Sequence, residues 1–141
     1  AFHLEVDGQW IVLHYALADL TPFVSIGGAI EQEAWNRGVT IYGFAKKIPL
    51  YPLEISQKAA SLLPDGPRPA MMVEVAIDGD GNIQLRDVYR AVCQSRAKLA
   101  YPTVDLQRLP HVEEFARRVS AKENKQHVPR MEFPQQEILH D

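Results

Sequence analysis

The order of hydrophobic and polar residues at the start of the chain predicts a β-hairpin. Residues 1–6 (A-F-H-L-E-V) alternate as a half-buried strand does. Residues 10–20 are almost continuously apolar, which is typical of a central strand covered on both faces. Asp7-Gly8 lies between the two segments and favours a tight turn, because glycine tolerates the positive φ that such turns need.

The next stretch predicts a helix, a short strand and a long loop. Residues 29–37 are rich in helix formers and end at Gly38, a residue type common just after helices. Residues 39–44 predict a short strand. Residues 46–69 are rich in proline, which predicts a loop that holds one short helix at 54–63.

The second half of the chain predicts another hairpin and a helix. Residues 70–77 predict a strand, 78–82 (D-G-D-G-N) a turn, and 83–101 a long second strand that bends. Residues 109–125 carry apolar side chains at helical spacing, and 128–141 read as extended. We therefore expect an α+β domain with a mostly antiparallel, barrel-like sheet and packed helices.

Composition narrows the class of protein. With 46% hydrophobic and 23% charged residues, the 141-residue chain has the balance of a globular domain, not of a disordered one. Its single cysteine, Cys93, excludes an internal disulfide framework and favours a reducing compartment. No apolar stretch approaches the roughly 20 residues that cross a bilayer, and no secretory signal is visible. A cytoplasmic location without membrane contact is the expectation.

Positive charge is concentrated in one part of the chain although the net charge is −3. Residues 86–130 hold ten basic side chains against five acidic ones. Four of them occupy even positions and would share one face of an unbroken strand: Arg86, Arg90, Arg96 and Lys98. A row of cations beside a groove suits phosphate binding, whereas the alternative is a solvated sheet face with scattered cations.

Short motifs reveal no reaction by themselves. The turn at 78–82 has calcium-like oxygen spacing, but Ile83 and Tyr89 stand where an EF-hand loop needs glycine and a carboxylate. The five histidines lie far apart without metal-ligand spacing, and Cys93 has no sequence-local partner. Phosphate-binding loops, dinucleotide fingerprints and nucleophile elbows are all missing from the sequence.

Longer blocks carry a family resemblance. They are A-L-A-D-L-T (16–21), G-G-A-I-E-Q-E-A-W-N-R-G (27–38) with V-T-I-Y, I-P-L-Y-P (48–52), I-S, S-L-L-P (61–64) and S-R-A-K-L-A-Y (95–101). In this order and spacing the chain resembles the catalytic (RNB) domain of the ribonuclease II and ribonuclease R family.

The resemblance implies part of a processive exoribonuclease that degrades single-stranded RNA from 3′ to 5′ with Mg²⁺. Family members bind their metals on aspartates ending in D-x-D-D, followed by a strand start such as the Ala1-Phe2 of this chain. Residues 1–141 are therefore expected to be the N-terminal and middle part of an RNB-like catalytic domain. The remainder of the parent chain, or a complementary fragment, would supply the metal ligands, and the segment alone is expected to be inactive.

Three aromatic positions match the family's RNA contacts. Tyr101 matches a tyrosine that packs on the 3′-terminal nucleotide beside the metals. Tyr42 matches an aromatic residue that holds RNA at the far end of the channel, and Phe133 is a candidate for its partner. Arg96 and Lys98 would position the RNA backbone. An aromatic face stacks on any base without reading sequence; the alternative for each ring is a place in the core.

Asp19 is a candidate outer ligand for magnesium. If residues 1–6 and 10–20 pair around Asp7-Gly8, paired positions sum to about 16. Asp19 then lies opposite residues that precede Ala1, where the family's aspartate cluster is expected. A carboxylate there suits Mg²⁺, which prefers oxygen ligands and keeps several waters. The alternative is an ordinary strand-end aspartate that caps a turn.

Departures from the family pattern leave a second function open. Pro22 stands where many members have histidine, Ile41 and Gly43 alter the S-V-Y-x-P block, and Pro102 follows Tyr101. These differences indicate a divergent branch. The alternative to an exoribonuclease is therefore a non-catalytic RNA-binding or interaction module on an RNB scaffold.

Overall fold

The computed structural model describes residues 1–43, 46–100 and 102–126. Six strands and two α-helices make up most of this part of the chain, with a π-helical segment at Glu54–Ala59 and a 3₁₀ turn at Leu106–Arg108. In chain order they are β1 (Phe2–Asp7), β2 (Trp10–Ala18), α1 (Ala29–Arg37), β3 (Ile41–Tyr42), β4 (Lys47–Ile48), β5 (Arg68–Ile77), β6 (Ile83–Cys93) and α2 (Val112–Lys125).

The first hairpin forms as predicted. Strands β1 and β2 pair antiparallel, with Asp7 opposite Trp10 across a two-residue turn. Gly8 in this turn has a φ of 60°, a conformation that side chains with a Cβ adopt only with strain. Partner positions sum to 17, as in Phe2 with Tyr15, which differs by one from the predicted register.

The second hairpin is held by a side chain inside its turn. The carboxylate of Asp78 accepts hydrogen bonds from the amides of Asp80 and Asn82 and from the side-chain amide of Asn82, at 2.8–2.9 Å. These bonds hold the pKa of Asp78 below its usual value. The D-G-D-G-N turn is thus the hairpin connection that the sequence predicts.

Strand β6 is shorter than predicted. It ends at Cys93, opposite Arg68, and the predicted continuation to residue 101 is wrong for the described residues up to 100. The partner strand supplies the reason, because Pro67 lacks an N–H and Gly66 has a φ of 86° just before β5 begins.

A bulge also divides β6. Glu74 pairs with Asp87 but the next residue, Val75, pairs with Leu85. Arg86 is therefore the extra residue of the bulge. Such a residue breaks the strict alternation of side chains between the two faces of the sheet.

The core lies between one face of the sheet and α2. Leu4, Ile11 and Ile77 are buried there, and three side chains of α2 pack against them: Val112, Phe115 and Val119. Arg118 fastens the helix to the sheet by donating hydrogen bonds to the carbonyls of Gln9 and Ile77, at 2.9 and 3.1 Å. The amphipathic pattern at 109–125 thus predicted the packing face, although α2 itself begins at Val112.

The fold is mixed α and β with an antiparallel sheet, as predicted, but the sheet is open. Its four strands lie in the order β1-β2-β5-β6, and β3 and β4 form a separate two-stranded ribbon. The predicted barrel-like closure is therefore wrong for the part of the chain that the structure describes. Within the same residues, no helix is both long enough and apolar enough to cross a bilayer.

Candidate nucleic-acid interface

Asp19 lies at the end of β2 and is largely buried, with 8% of its surface exposed. Its Oδ1 accepts hydrogen bonds from the amide of Thr21 at 3.0 Å and from the Thr21 hydroxyl at 2.7 Å. Its Oδ2 lies 3.4 Å from Nε of Arg90. These partners, Thr21 first, hold the pKa of Asp19 below its usual value, so the carboxylate stays ionised.

The geometry around Asp19 matches the turn-capping alternative, because a neighbouring amide and hydroxyl occupy one carboxylate oxygen. Among the described residues, no group of three or more histidine, cysteine, aspartate or glutamate side chains is placed to hold a metal ion. The outer-ligand role of Asp19 stays a prediction.

The predicted row of cations on β6 is divided into separate sites. Arg86 donates to the carboxylate of Asp7 at 2.5 Å and lies 5.8 Å from the ring centre of Trp10. Arg90 contacts Asp19 and donates to the Thr21 hydroxyl at 3.0 Å. The bulge at Arg86 and the end of the strand at Cys93 explain why the four side chains do not share one strand face.

Arg96 and Lys98 follow the end of β6 in a segment without regular structure, and both are exposed. The segment is attached to the rest of the fold at Ser95, whose hydroxyl donates to the carbonyl of Leu62 at 2.5 Å. The two cations are thus available to solvent, and their contact with an RNA backbone stays a prediction.

Tyr42 presents an exposed ring beside a cation. It lies in β3 with 75% of its surface exposed, and Nζ of Lys47 in β4 lies 5.1 Å from its ring centre. The pairing of Tyr42 with Lys47 across the ribbon sets this arrangement. The core alternative for Tyr42 is therefore wrong, whereas the predicted sites Tyr101 and Phe133 lie outside the described residues.

One surface feature was not predicted. A recess of about 360 Å³ lies between the segment that follows β2, helix α1 and the Leu50-Tyr51 segment, and Trp35 and Ile26 line it together with Tyr51. We call it the Trp35 recess. Trp35 is 80% exposed although it belongs to a helix. The sequence signal that could have indicated the recess is Trp35 itself, a large aromatic residue in a short and mostly polar helix.

The chain is similar to known proteins in sequence and in structure. A family model described as RNB domain matches residues 1–127. Ribonuclease R of Thermotoga maritima is 36% identical over 89 residues, which are 63% of this chain and 12% of that protein. Exoribonuclease 2 of Haemophilus influenzae is 39% identical over 90 residues, 63% of this chain and 14% of that protein. The chain therefore spans about a seventh or less of these relatives.

Solved structures of other proteins also resemble this chain in fold. Mycoplasma genitalium RNase R in complex with ribose-methylated single-stranded RNA gives a TM-score of 0.63 at 26% identity, covering 67% of this chain and 15% of that one. Yeast Ssd1, described as a pseudonuclease, gives a TM-score of 0.57 at 19% identity over 66% of this chain and 12% of its own. The second similarity shows the fold alone.

Proposed function

Because the chain belongs to the RNB-domain family, whose family model matches residues 1–127, we propose that it is part of a 3′ to 5′ exoribonuclease that hydrolyses single-stranded RNA. The names and identities of the relatives support an RNA-degrading hydrolase. Since the chain spans only 12–14% of those relatives, the proposal concerns the whole enzyme, of which residues 1–141 are an N-terminal and middle part of the catalytic domain.

The exposed ring of Tyr42 is the observation of this structure that best supports RNA binding. A ring that no core contact requires can stack on a base, and base–aromatic stacking tolerates any sequence. Lys47, whose Nζ lies over the ring at 5.1 Å from its centre, adds a positive charge next to the stacking surface, where it can attract the RNA backbone. This combination suits an enzyme that grips RNA without sequence preference.

As the family resemblance implies, Tyr101 would pack against the 3′-terminal nucleotide. Phe133 would be the partner of Tyr42 in holding the RNA at the far end of the channel. Arg96 and Lys98 would contact the RNA backbone. Mg²⁺, when bound, would supply the activation of water. Its direct ligands would come from the remainder of the parent chain or from a complementary fragment. An RNA substrate and the single free thiol, Cys93, both suit the cytoplasm.

The experiment uses the gene product at its full natural length and RNA labelled at its 5′ end. Stepwise shortening from the 3′ end that requires Mg²⁺, and that a 3′-phosphate blocks, is the result we expect. Binding of the same RNA without shortening would favour the alternative, a non-catalytic RNA-binding module, a role compatible with the fold of yeast Ssd1. The absence of both binding and shortening would contradict the proposal and its alternative.

A further inference from the structure

We propose that the Trp35 recess holds one nucleobase of single-stranded RNA, stacked on the indole of Trp35. The inference rests on the proposed function, because it assigns an additional base-binding position to the same RNA. The recess has a volume of about 360 Å³. Small-ligand sites typically begin at about 300 Å³, so the recess is large enough for one base.

The walls of the recess are connected to one another, so the recess exists before a ligand arrives. Arg37 at the end of α1 donates to the carbonyl of Pro49, and the amide of Leu50 donates to the Thr40 hydroxyl at 3.2 Å. On the other side, the amide of Gly27 donates to the carboxylate of Glu31 at 2.5 Å. A preformed site spares the ligand the cost of ordering its walls.

The chemistry of the lining favours a base over a phosphate. Most of the lining side chains are apolar or aromatic, and the one charged residue among them, Glu31, is negative. An anionic phosphate would be repelled there, whereas an uncharged base with a flat face is not. The positive charge stands beside the recess: Thr21 lines it, and Arg90, whose side chain is 64% exposed, donates to the Thr21 hydroxyl. A nucleotide can therefore place its base on Trp35 and its phosphate toward Arg90.

The β3–β4 ribbon that carries Tyr42 is joined directly to one wall of the recess. Tyr42 lies on the β3–β4 ribbon, and Ile48 at the end of that ribbon pairs with Ile41. The chain then runs within two residues to Leu50, which forms a wall of the recess and is bonded to Thr40 just before β3. The two proposed stacking positions therefore belong to neighbouring segments of the chain, so that one strand of RNA could engage both.

The test uses the fluorescence of Trp35 in the 141-residue chain. The chain has two tryptophans, and Trp10 lies away from the recess beside Arg86. A Trp10→Phe variant therefore leaves Trp35 as the only reporter. We expect saturable quenching when an adenine octaribonucleotide is added, with the same midpoint as binding measured by anisotropy of a labelled copy.

Two substitutions separate stacking from a structural effect. Trp35→Ala should weaken octanucleotide binding roughly tenfold, because the stacking face for one base is lost. Trp35→Phe keeps an aromatic face and should weaken binding roughly threefold or less. Val39→Ala is the control, since Val39 is an exposed apolar residue next to α1 that does not line the recess. Circular dichroism should show each variant folded, because Trp35 is an exposed side chain.

Three results would overturn the inference. The first is absence of quenching together with unchanged affinity in Trp35→Ala while Tyr42→Ala weakens binding, which leaves the proposed function intact. The second is an emission change that follows protein concentration without RNA, which would assign the recess to a second copy of the chain. The third is absence of RNA binding by the wild-type 141-residue chain, which would overturn the recess as a base-binding position of this segment. If the full-length gene product does not bind RNA either, the proposed function is removed as well.

Discussion

Tyr89 donates its hydroxyl to Oε1 of Glu74 across strands β6 and β5, at 2.6 Å. The same carboxylate oxygen lies 3.1 Å from Nδ1 of His14 on β2, whose Nε2 is 3.0 Å from Glu5 on β1. A polar network therefore crosses all four strands on the sheet face opposite the core. The Tyr89 hydroxyl is the largest cause that lowers the pKa of Glu74, and the same contact raises the pKa of Tyr89.

Replacing Tyr89 with Phe should bring the pKa of Glu74 back toward its usual value. A carboxyl group with a lowered pKa stabilises the folded state above the unfolded value of 4.5 and loses that contribution as the pH falls. The free energy of unfolding of Tyr89→Phe should therefore fall less steeply below pH 4.5 than that of the wild type. The Glu74 carboxyl resonance, followed by NMR, measures the shift directly.

The control is Tyr15→Phe, because Tyr15 neighbours His14 on β2 and so points to the other face of the sheet. An unaltered Glu74 titration in Tyr89→Phe would contradict the assignment of the pKa to this hydroxyl.

Glu114 should make the free energy of unfolding decrease as the pH falls below 4.5. Arg117 and Arg118 both donate to its carboxylate, and they lower its pKa from 4.5 to about 2. Because the folded state prefers the charged form, stability from this group is present above pH 4.5 and disappears as the pH falls toward 2. In Glu114→Gln, the free energy of unfolding should vary less over this interval, as urea unfolding at a series of pH values can measure.

Glu113 offers a matched comparison for this measurement. It precedes Glu114 on the first turn of α2. Glu113→Gln removes the same negative charge from the same turn and leaves the arginine contacts of Glu114 in place. An equal flattening by both substitutions would show that net charge, not the arginine contacts, is responsible.

Gly8 should stabilise the first hairpin turn because it adopts a backbone conformation that other residues adopt only with strain. Its φ of 60° is the left-handed region, and a Cβ added there meets no other atom within 4 Å, so strain is the only obstacle. Gly8→Ala should lower the free energy of unfolding by about 1 kcal/mol. Gly79→Ala is the control, because Gly79 lies in the other hairpin turn without a positive φ and with equally open space. A loss of equal size in both variants would contradict the conformational explanation.

The sequence predicted the turns and short elements whose structure depends on neighbouring residues in the chain. Asp7-Gly8 predicted the first turn because a two-residue hairpin depends on the φ of one glycine, and Asp78 closes the second turn with its own neighbours. Residues 54–63 predicted a short helix, and the structure has a π-helical segment at Glu54–Ala59, so the predicted end at Leu63 is four residues too late.

Features that depend on distant partners were predicted wrongly or not at all. The row of cations assumed an unbroken β6, but the length of that strand depends on where β5 begins, at Arg68. The register of the first hairpin was wrong by one position for a local reason, because the two turn residues are Gly8 and Gln9 and not Asp7 and Gly8. The Trp35 recess was missed because its walls come from segments between Leu20 and Tyr51, and a pattern read along one segment does not bring them together.

Asp19→Asn distinguishes the two interpretations of that side chain. Asparagine keeps an oxygen for the amide and hydroxyl of Thr21 but loses the negative charge. If Asp19 acts as an outer ligand, the full-length enzyme should need a higher Mg²⁺ concentration for half-maximal RNA hydrolysis. Asp105→Asn is a matched control, because Asp105 also accepts an amide two residues ahead and pairs with an arginine. An unchanged Mg²⁺ titration in Asp19→Asn would leave Asp19 as a turn cap.

Tyr42→Ala should weaken the binding of single-stranded RNA by roughly tenfold, because one stacked base contributes about 1–3 kcal/mol. The ring is exposed and belongs to a two-stranded ribbon separate from the main sheet, so its removal should leave unfolding by urea almost unchanged. Tyr42→Phe keeps the ring and should bind nearly as well as the wild type, which separates stacking from hydrogen bonding by the hydroxyl. Lys47→Met should instead reduce the salt dependence of binding, because it removes one positive charge near the RNA backbone. Equal affinities of Tyr42→Ala and the wild type, measured by anisotropy at one salt concentration, would show that RNA does not stack on this ring.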